Sequence, residues 1–233
     1  MKNSVRRGRD FALIYHVNLH YQDLVEDIAG IDSLEVFTNS GNKRRAILFD
    51  FLEIGELVAQ LSKAFLKDFG NTHSLELISI RNRIVHGYGT IKDGIVFETL
   101  KTDLPKFIED LNAYALSRYR IGLETTLGQN VTVVIDRPIG YNHEGLVYPV
   151  NYGYIADLTA LDGEFQDAYV IGIEKAVKEI DGKVIAIIER EDDIEDKLVV
   201  VPQDLSPSDD EIEEMVCFQE QYFIHRILRK SKQ

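Results

Sequence analysis

At Gly122 the spacing of the apolar residues changes, and no single layer of secondary structure satisfies both spacings. Before it, Ile47, Phe51, Ile54, Val58, Leu61 and Phe65 recur at steps of four and three, one stripe on a helix. Asn39 and Ser40 are cap candidates at its start, and Gly70 closes it. "HYQDLVEDIAGI" and "DLPKFIEDLNAYAL" repeat the pattern more briefly, and Leu77, Ile80 and Ile84 supply another such face. Short connections between amphipathic helices predict an antiparallel all-α bundle of four or five helices. After Gly122, "VTVVID", "AYVIGI", "KVIAIIE" and "KLVVVP" are β-branched runs separated by Gly, Asp and Pro, the mark of buried strands. The closing "DDEIEEMVCFQEQYFIHRILRK" reads as a helix, with acids first and bases last as the macrodipole prefers. "LETTLGQN" is the joint, so the expected domains are residues 1–122 and 123–233.

Charge divides at the same place. Residues 1–122 hold 16 Lys+Arg and 16 Asp+Glu, whereas the remainder holds 10 against 23 and so carries the whole net charge of −13. A neutral half with basic clusters (Arg6, Arg7, Arg9; Lys43, Arg44, Arg45) suits a polyanion, and an acidic half suits divalent cations, although solvated faces would look the same. The single cysteine, Cys217, cannot form an internal disulfide. The basic N-terminus lacks the apolar run of a signal peptide, and no stretch is apolar for long enough to span a bilayer. These features predict a cytoplasmic protein with no membrane association.

"RNRIVHGYG", Arg81–Gly89, places a guanidinium, an amide, an imidazole and a phenol at one predicted helix end. On a straight helix Arg81 and Tyr88 share a face, with His86 about 140° away. Gly87 and Gly89 tend to end the helix and let His86 and Tyr88 turn toward Arg81. A permanently charged phosphate binder beside a group titrating near neutrality is equipment for cleaving a phosphodiester. A helix C-terminus decorated with Arg and His for dipole reasons is the alternative.

Arg81, Asn82, His86 and Tyr88 match the R-N-x3-H-x-Y form of the motif in HEPN-domain proteins. "LEIGELVAQLSKAF…RNRIVHGYG…VFETLKTDLPKFIEDL" resembles the HepT toxins over most of residues 15–118. The resemblance implies a metal-independent endoribonuclease that dimerises and acts on RNA. His86 would be general acid or base, Arg81 would stabilise the phosphorane, and Asn82 would orient one of them. It also implies a separate minimal nucleotidyltransferase antitoxin that adds AMP to the motif tyrosine, here Tyr88.

Two acidic runs mark the second half: Asp162, Glu164 and Asp167, then "EREDDIEDK" with Asp192, Asp193, Glu195 and Asp196. Hard cations want such oxygens if the runs converge. "YPVNYGYI" followed by "DGEFQD" resembles the soluble family I inorganic pyrophosphatases, as do the later acids before Lys197 and "FQEQYF" at Phe218–Phe223. Over roughly residues 130–225 the resemblance implies an OB-like five-stranded barrel with a C-terminal helix and Mg2+ bound between phosphate and water. It assigns Asp162, Glu164, Asp167, Asp192 and Glu195 (or Asp196) to metal, with Glu164 also catalytic. Arg137, Tyr152, Lys197 and Tyr222 fall to phosphate.

The departures are specific. Phe165 replaces a proline, Glu164 replaces an aspartate, and the hairpin between Asp136 and Tyr148 keeps only Arg137 and His143 as cationic candidates. Phe223 stands where the family has its last lysine. The acids largely survive while the cations that grip pyrophosphate are mostly missing, so pyrophosphate or a related nucleotide-like phosphate is the expected substrate class. Three readings follow: an enzyme with both activities, a ribonuclease whose barrel is a non-catalytic metal or nucleotide sensor, or a chain whose bundle is only a dimerising scaffold.

Overall fold

Ser62 interrupts the helix that the apolar stripe predicts as continuous. The computed structural model describes residues 2–70, 92–202 and 205–230. In chain order its first elements are α1 (Lys2–Ile28), α2 (Leu34–Asn39), α3 (Asn42–Gln60), α4 (Lys63–Phe69), α5 (Asp93–Lys101) and α6 (Asp103–Glu124). The stripe from Ile47 to Phe65 is thus shared by α3 and α4. Asp10 on α1 is buried, and a buried carboxylate needs donors. Ser62 supplies both its backbone N–H and its hydroxyl, each 2.7 Å from Asp10. That demand breaks the helix, and the Ser62 hydroxyl also accepts from Phe65 N to start α4. Gly70 closes α4 in the left-handed conformation, as its position predicts. Asn39 and Ser40, expected to open α3, instead end α2, whose C-cap is Ser40.

Residues Arg9–Ala115 form one compact unit, and Met1–Gly8 with Leu116–Gln233 form the other. In the first, Ile47, Phe51, Ile54 and Val58 are buried along one face of α3. Asn18 of α1 and Asn112 of α6 exchange two amide hydrogen bonds, 2.9 and 2.8 Å. Arg44 forks onto Asp93 at the start of α5. Among the described residues no helix is long and apolar enough to cross a membrane.

In the second unit the chain passes from helix to strand over Thr125–Gln129. The later elements are β1 (Asn130–Arg137), β2 (Asn142–His143), β3 (Leu146–Val147), β4 (Asn151–Thr159), β5 (Phe165–Val170), β6 (Glu179–Arg190), β7 (Lys197–Val201), α7 (Asp209–Glu220) and β8 (His225–Leu228). Strands run β1-β4-β5-β7-β6, and β6 pairs back onto β1, which closes a five-stranded barrel. Among the described residues only the β5–β7 pair is parallel. Gly153 permits the close approach of β4 to β1, since a Cβ there would collide with the backbone of Val134 and Ile135. One face of the sheet carries Tyr152, Tyr169, Ile188 and Val199, which pack under Ile212 and Val216 of α7.

The C-terminal stretch is half helix and half strand, not the single helix expected. A capping box between Ser208 and Glu211 starts α7, and the helix stops at Glu220. Gln221–Ile224 turn the chain, and β8 then pairs antiparallel with β6 from Ile187 to Arg190. The late bases serve tertiary contacts and not the helix dipole. Arg226 reaches Glu189 at 2.7 Å, and Arg229 reaches Asp209 at 2.7 Å.

Candidate functional site

Arg81, Asn82, His86 and Tyr88 lie outside the described residues, so the site that can be built is in the barrel. It begins with a bulge. β1 pairs with β4 at Ile135↔Gly153 and then at Arg137↔Tyr152, so Asp136 is an extra residue that re-aims Arg137. The Arg137 guanidinium lies 5.5 Å and 5.4 Å from the ring centres of Tyr148 and Tyr152 and donates to the Tyr148 hydroxyl at 2.5 Å.

Tyr152 passes the chain of contacts on. Its hydroxyl donates to Asp167 Oδ2 at 2.6 Å, and burial first, then the Asp167 charge, holds its pKa well above the usual phenol range. It therefore stays a donor. Lys197 Nζ donates to the same Asp167 oxygen and to Glu195 Oε2, both at 2.7 Å. The lysine is 2% exposed, so this ammonium is held between two carboxylates away from solvent.

Asp162 sits in the turn joining β4 to β5. Gly163 takes a positive φ there, and Asp162 Oδ1 accepts from Glu164 N at 2.9 Å. Burial pushes the Asp162 carboxyl above the usual carboxylate range. The charges of Glu195 and Glu164 push the same way, against the Glu164 N–H and Lys197. Asp162 thus lies within electrostatic reach of Glu195 and Lys197, on the other acidic loop.

Arg137, Tyr152, Asp167, Glu195 and Lys197 are joined in one chain of contacts, with Asp162 beside it. The remaining expected residues are placed otherwise. Asp192 Oδ1 accepts from Ile224 N at 3.0 Å. Tyr222 is 69% exposed. Glu164 is exposed on its turn, and His143 is exposed on the β2–β3 hairpin, stacked on Tyr141. Phe223 lies 3.6 Å under the Arg190 guanidinium. Of the two alternatives at the second acidic run, Glu195 joins Lys197, whereas Asp196 is buried and faces Arg120 at 3.1 Å.

A hard divalent cation suits the chemistry of Asp162, Asp167 and Glu195, because mutual repulsion is the state that a bound cation relieves. Asp167 Oδ2 and Glu195 Oε2 are engaged by Lys197. Among the described residues no group of three or more His, Cys, Asp or Glu is already arranged as a metal site.

Sequence reasoning passed over the supporting residues. Tyr119, Arg120 and Gln166 form a largely buried network behind the cluster with Asp196, which the sequence offered only as an alternative metal ligand, and Arg190 with Glu220 forms another. Gln166 lies inside the quoted "DGEFQD" and Glu220 inside "FQEQYF", so both were within the motifs. Tyr119 and Arg120 have no such signal.

Known proteins of two kinds are similar to parts of this chain. Residues 18–114 match the family model described as Ribonuclease HepT-like, and the match spans Arg81, Asn82, His86 and Tyr88. Over 100 residues, 43% of this chain and 91% of the other, the sequence is 27% identical to the candidate RNase MJ1380 of Methanocaldococcus jannaschii. Solved structures similar to the C-terminal part are inorganic pyrophosphatases. That from Neisseria gonorrhoeae is 20% identical, with 41% of this chain and 74% of that chain covered and a TM-score of 0.35. That from Coxiella burnetii is 18% identical, with 43% and 84% covered and a TM-score of 0.33.

Proposed function

We propose that the protein joins a metal-independent, toxin-like endoribonuclease to a Mg2+-dependent phosphohydrolase. The ribonuclease reading is carried by the family match over residues 18–114, which spans the R-N-x3-H-x-Y residues. His86 moves the proton of the ribose 2′-hydroxyl or of the leaving oxygen. Arg81 stabilises the charge on the phosphorane, and Asn82 orients one of the two. Tyr88 is the site that a separate nucleotidyltransferase antitoxin would modify, and a homodimer brings two motifs together. RNA cleavage by the full chain in EDTA tests this. His86→Ala should lower the rate about 10²–10⁴-fold, and a variant as fast as the parent removes the assignment.

The barrel reading is carried by the Lys197 ammonium held between Asp167 and Glu195. Asp162, Asp167 and Glu195 would hold Mg2+, which supplies charge neutralisation for phosphate oxygens and lowers the pKa of water. Arg137, fixed over two tyrosine rings, offers its charge to a phosphate oxygen, whereas Lys197 gives its charge to Asp167 and Glu195. Tyr152 stays protonated and holds Asp167 in one orientation. Glu164, exposed on the turn between β4 and β5, would be the base that accepts a proton from an attacking water.

Lys197 is already committed to two carboxylates, and Phe223 is covered by Arg190. A tetra-anion confined to this site is poorly neutralised by what remains, so pyrophosphate should turn over slowly. A nucleotide-like phosphate, part of whose charge would lie outside the site, is the better substrate class. Phosphate release from pyrophosphate and from nucleoside triphosphates, with and without Mg2+, tests this. Pyrophosphate turnover equal to that of an ordinary inorganic pyrophosphatase would contradict the substrate assignment. No release from any of them would contradict the hydrolytic one.

A further inference from the structure

Tyr119 and Arg120 are consecutive residues near the end of α6. Asp167, Lys197 and Glu195 form the cluster that they stand behind. Tyr119 and Arg120 hold the chain neighbours of all three. The buried Tyr119 hydroxyl donates to Gln166 Oε1 at 2.7 Å. Gln166 has no exposed surface, and its Nε2 donates to the carbonyl of Asp196 at 2.6 Å and to that of Asp167 at 3.2 Å. Arg120 adds its Nε to Asp196 Oδ2 at 3.1 Å and an Nη to the Arg190 carbonyl at 2.7 Å. The other Asp196 oxygen accepts from Arg190 N at 3.0 Å. Gln166 precedes Asp167 in the chain, and Asp196 stands between Glu195 and Lys197.

The place of this network in the sheet gives it a purpose. β5 and β7 are paired from Ala168↔Leu198 to Val170↔Val200. Asp167 and Lys197 lie one residue before the first of these pairs, where the strand ladder does not hold the two backbones together. Gln166 takes over, since its single amide ties β5 to the segment entering β7. Successive side chains of a strand point to opposite faces, so Gln166 points away from the face on which Asp167 meets Lys197. Tyr119 and Arg120 therefore act from behind the sheet.

We propose that Tyr119 and Arg120 are positioning residues for the Asp167–Lys197–Glu195 cluster, and that they act through Gln166 and Asp196. The consequence for turnover rests on the hydrolytic reading of the barrel, whereas the consequence for geometry does not. The full chain labelled with 15N, as wild type, Tyr119→Phe, Arg120→Met and the exposed control Ile121→Ser, separates the two. A lysine ammonium held by two carboxylates gives a side-chain resonance of its own. The Lys197 ammonium signal and the backbone amides of Asp167 and Glu195 should move in Tyr119→Phe and Arg120→Met and stay in place in Ile121→Ser. Arg120→Lys should restore part of the shift, and it serves the same comparison should Arg120→Met not fold. If the wild type releases phosphate, kcat should fall about tenfold in Tyr119→Phe with little change in KM, about 1.4 kcal/mol of transition-state stabilisation. Signals that superimpose on the wild type in both variants overturn the proposal, even where the melting temperature falls. Signals that move in a protein with no hydrolysis uphold the positioning role and remove only the hydrolytic reading.

Discussion

Arg190 and Glu220 are joined by two hydrogen bonds, Nε to Oε2 at 2.9 Å and Nη to Oε1 at 2.7 Å, with the Glu220 side chain wholly buried and that of Arg190 2% exposed. Tyr169 donates to the same carboxylate at 2.5 Å, and Asp193 takes a further Arg190 hydrogen at 2.8 Å. The pair pins the end of α7 to the end of β6, where β8 begins. Glu220→Ala leaves a buried guanidinium short of its main partner, so it should cost about 3–5 kcal/mol. Denaturant unfolding measures this, and a loss within experimental error would show that water enters and solvates Arg190.

Lys197→Met leaves Asp167 and Glu195 facing one another without the ammonium. Both carboxylates are partly exposed, which limits the loss to about 1–3 kcal/mol in EDTA. Mg2+ should then raise the melting temperature of the variant more than that of the wild type, because a hundredfold excess over Kd stabilises by about 2.7 kcal/mol. Equal Mg2+ effects on the two, or none, would argue against cation binding at this cluster.

Ser62→Ala removes a helix N-cap and one of the two donors to buried Asp10. The expected loss is about 2–3 kcal/mol. Ser62→Thr keeps the hydroxyl and should recover most of it. Thermal unfolding of the two variants side by side makes the comparison, and an Ala variant as stable as the Thr variant would mean that Asp10 does not depend on this hydroxyl.

His225 Nε2 lies 2.9 Å from Glu213 Oε2, and Nδ1 lies 3.1 Å from the Phe223 carbonyl. Burial works against the charged ring, but these acceptors outweigh it and raise the pKa above the usual imidazole value. Folding therefore favours the protonated ring. Its contribution is fully present below the ordinary value of about 6.5 and is lost as the pH rises through the raised value. The gap in melting temperature between wild type and His225→Gln should narrow as the pH rises above about 6.5. A gap that widens over that range would reverse the sign.

Where the sequence was legible, the signal lay within a few residues. "VTVVID" became β1, "KVIAIIE" lies in β6 and "KLVVVP" holds β7, because β-branched runs between turn residues have one good backbone. The stripe from Ile47 is buried as its spacing predicts, and Gly70 ends its helix in the left-handed conformation. The break at Ser62 was not legible, since the donor demand comes from Asp10, 52 positions away. The end of α7 was hidden for a similar reason. Residues after Glu220 suit a helix locally, but an edge of β6 awaits a strand.

The residue types of the barrel site could be read directly: acids in two runs, a lysine after the second, an arginine at the end of the first strand and a tyrosine in "NYGY". Which of them meet was decided by the tertiary structure. Glu195, and not Asp196, reaches Lys197; Asp192 turns to a backbone N–H; Tyr119 and Arg120 enter from a helix of the other period. Local spacing fixes only the face on which a side chain leaves its own element. Convergence depends on how the barrel closes, on the β1 bulge beside Asp136 that re-aims Arg137, and on where the β5–β7 ladder begins. Those are relations between strands far apart in the chain, set by backbone hydrogen bonds that every residue can make, and so no residue type announces them.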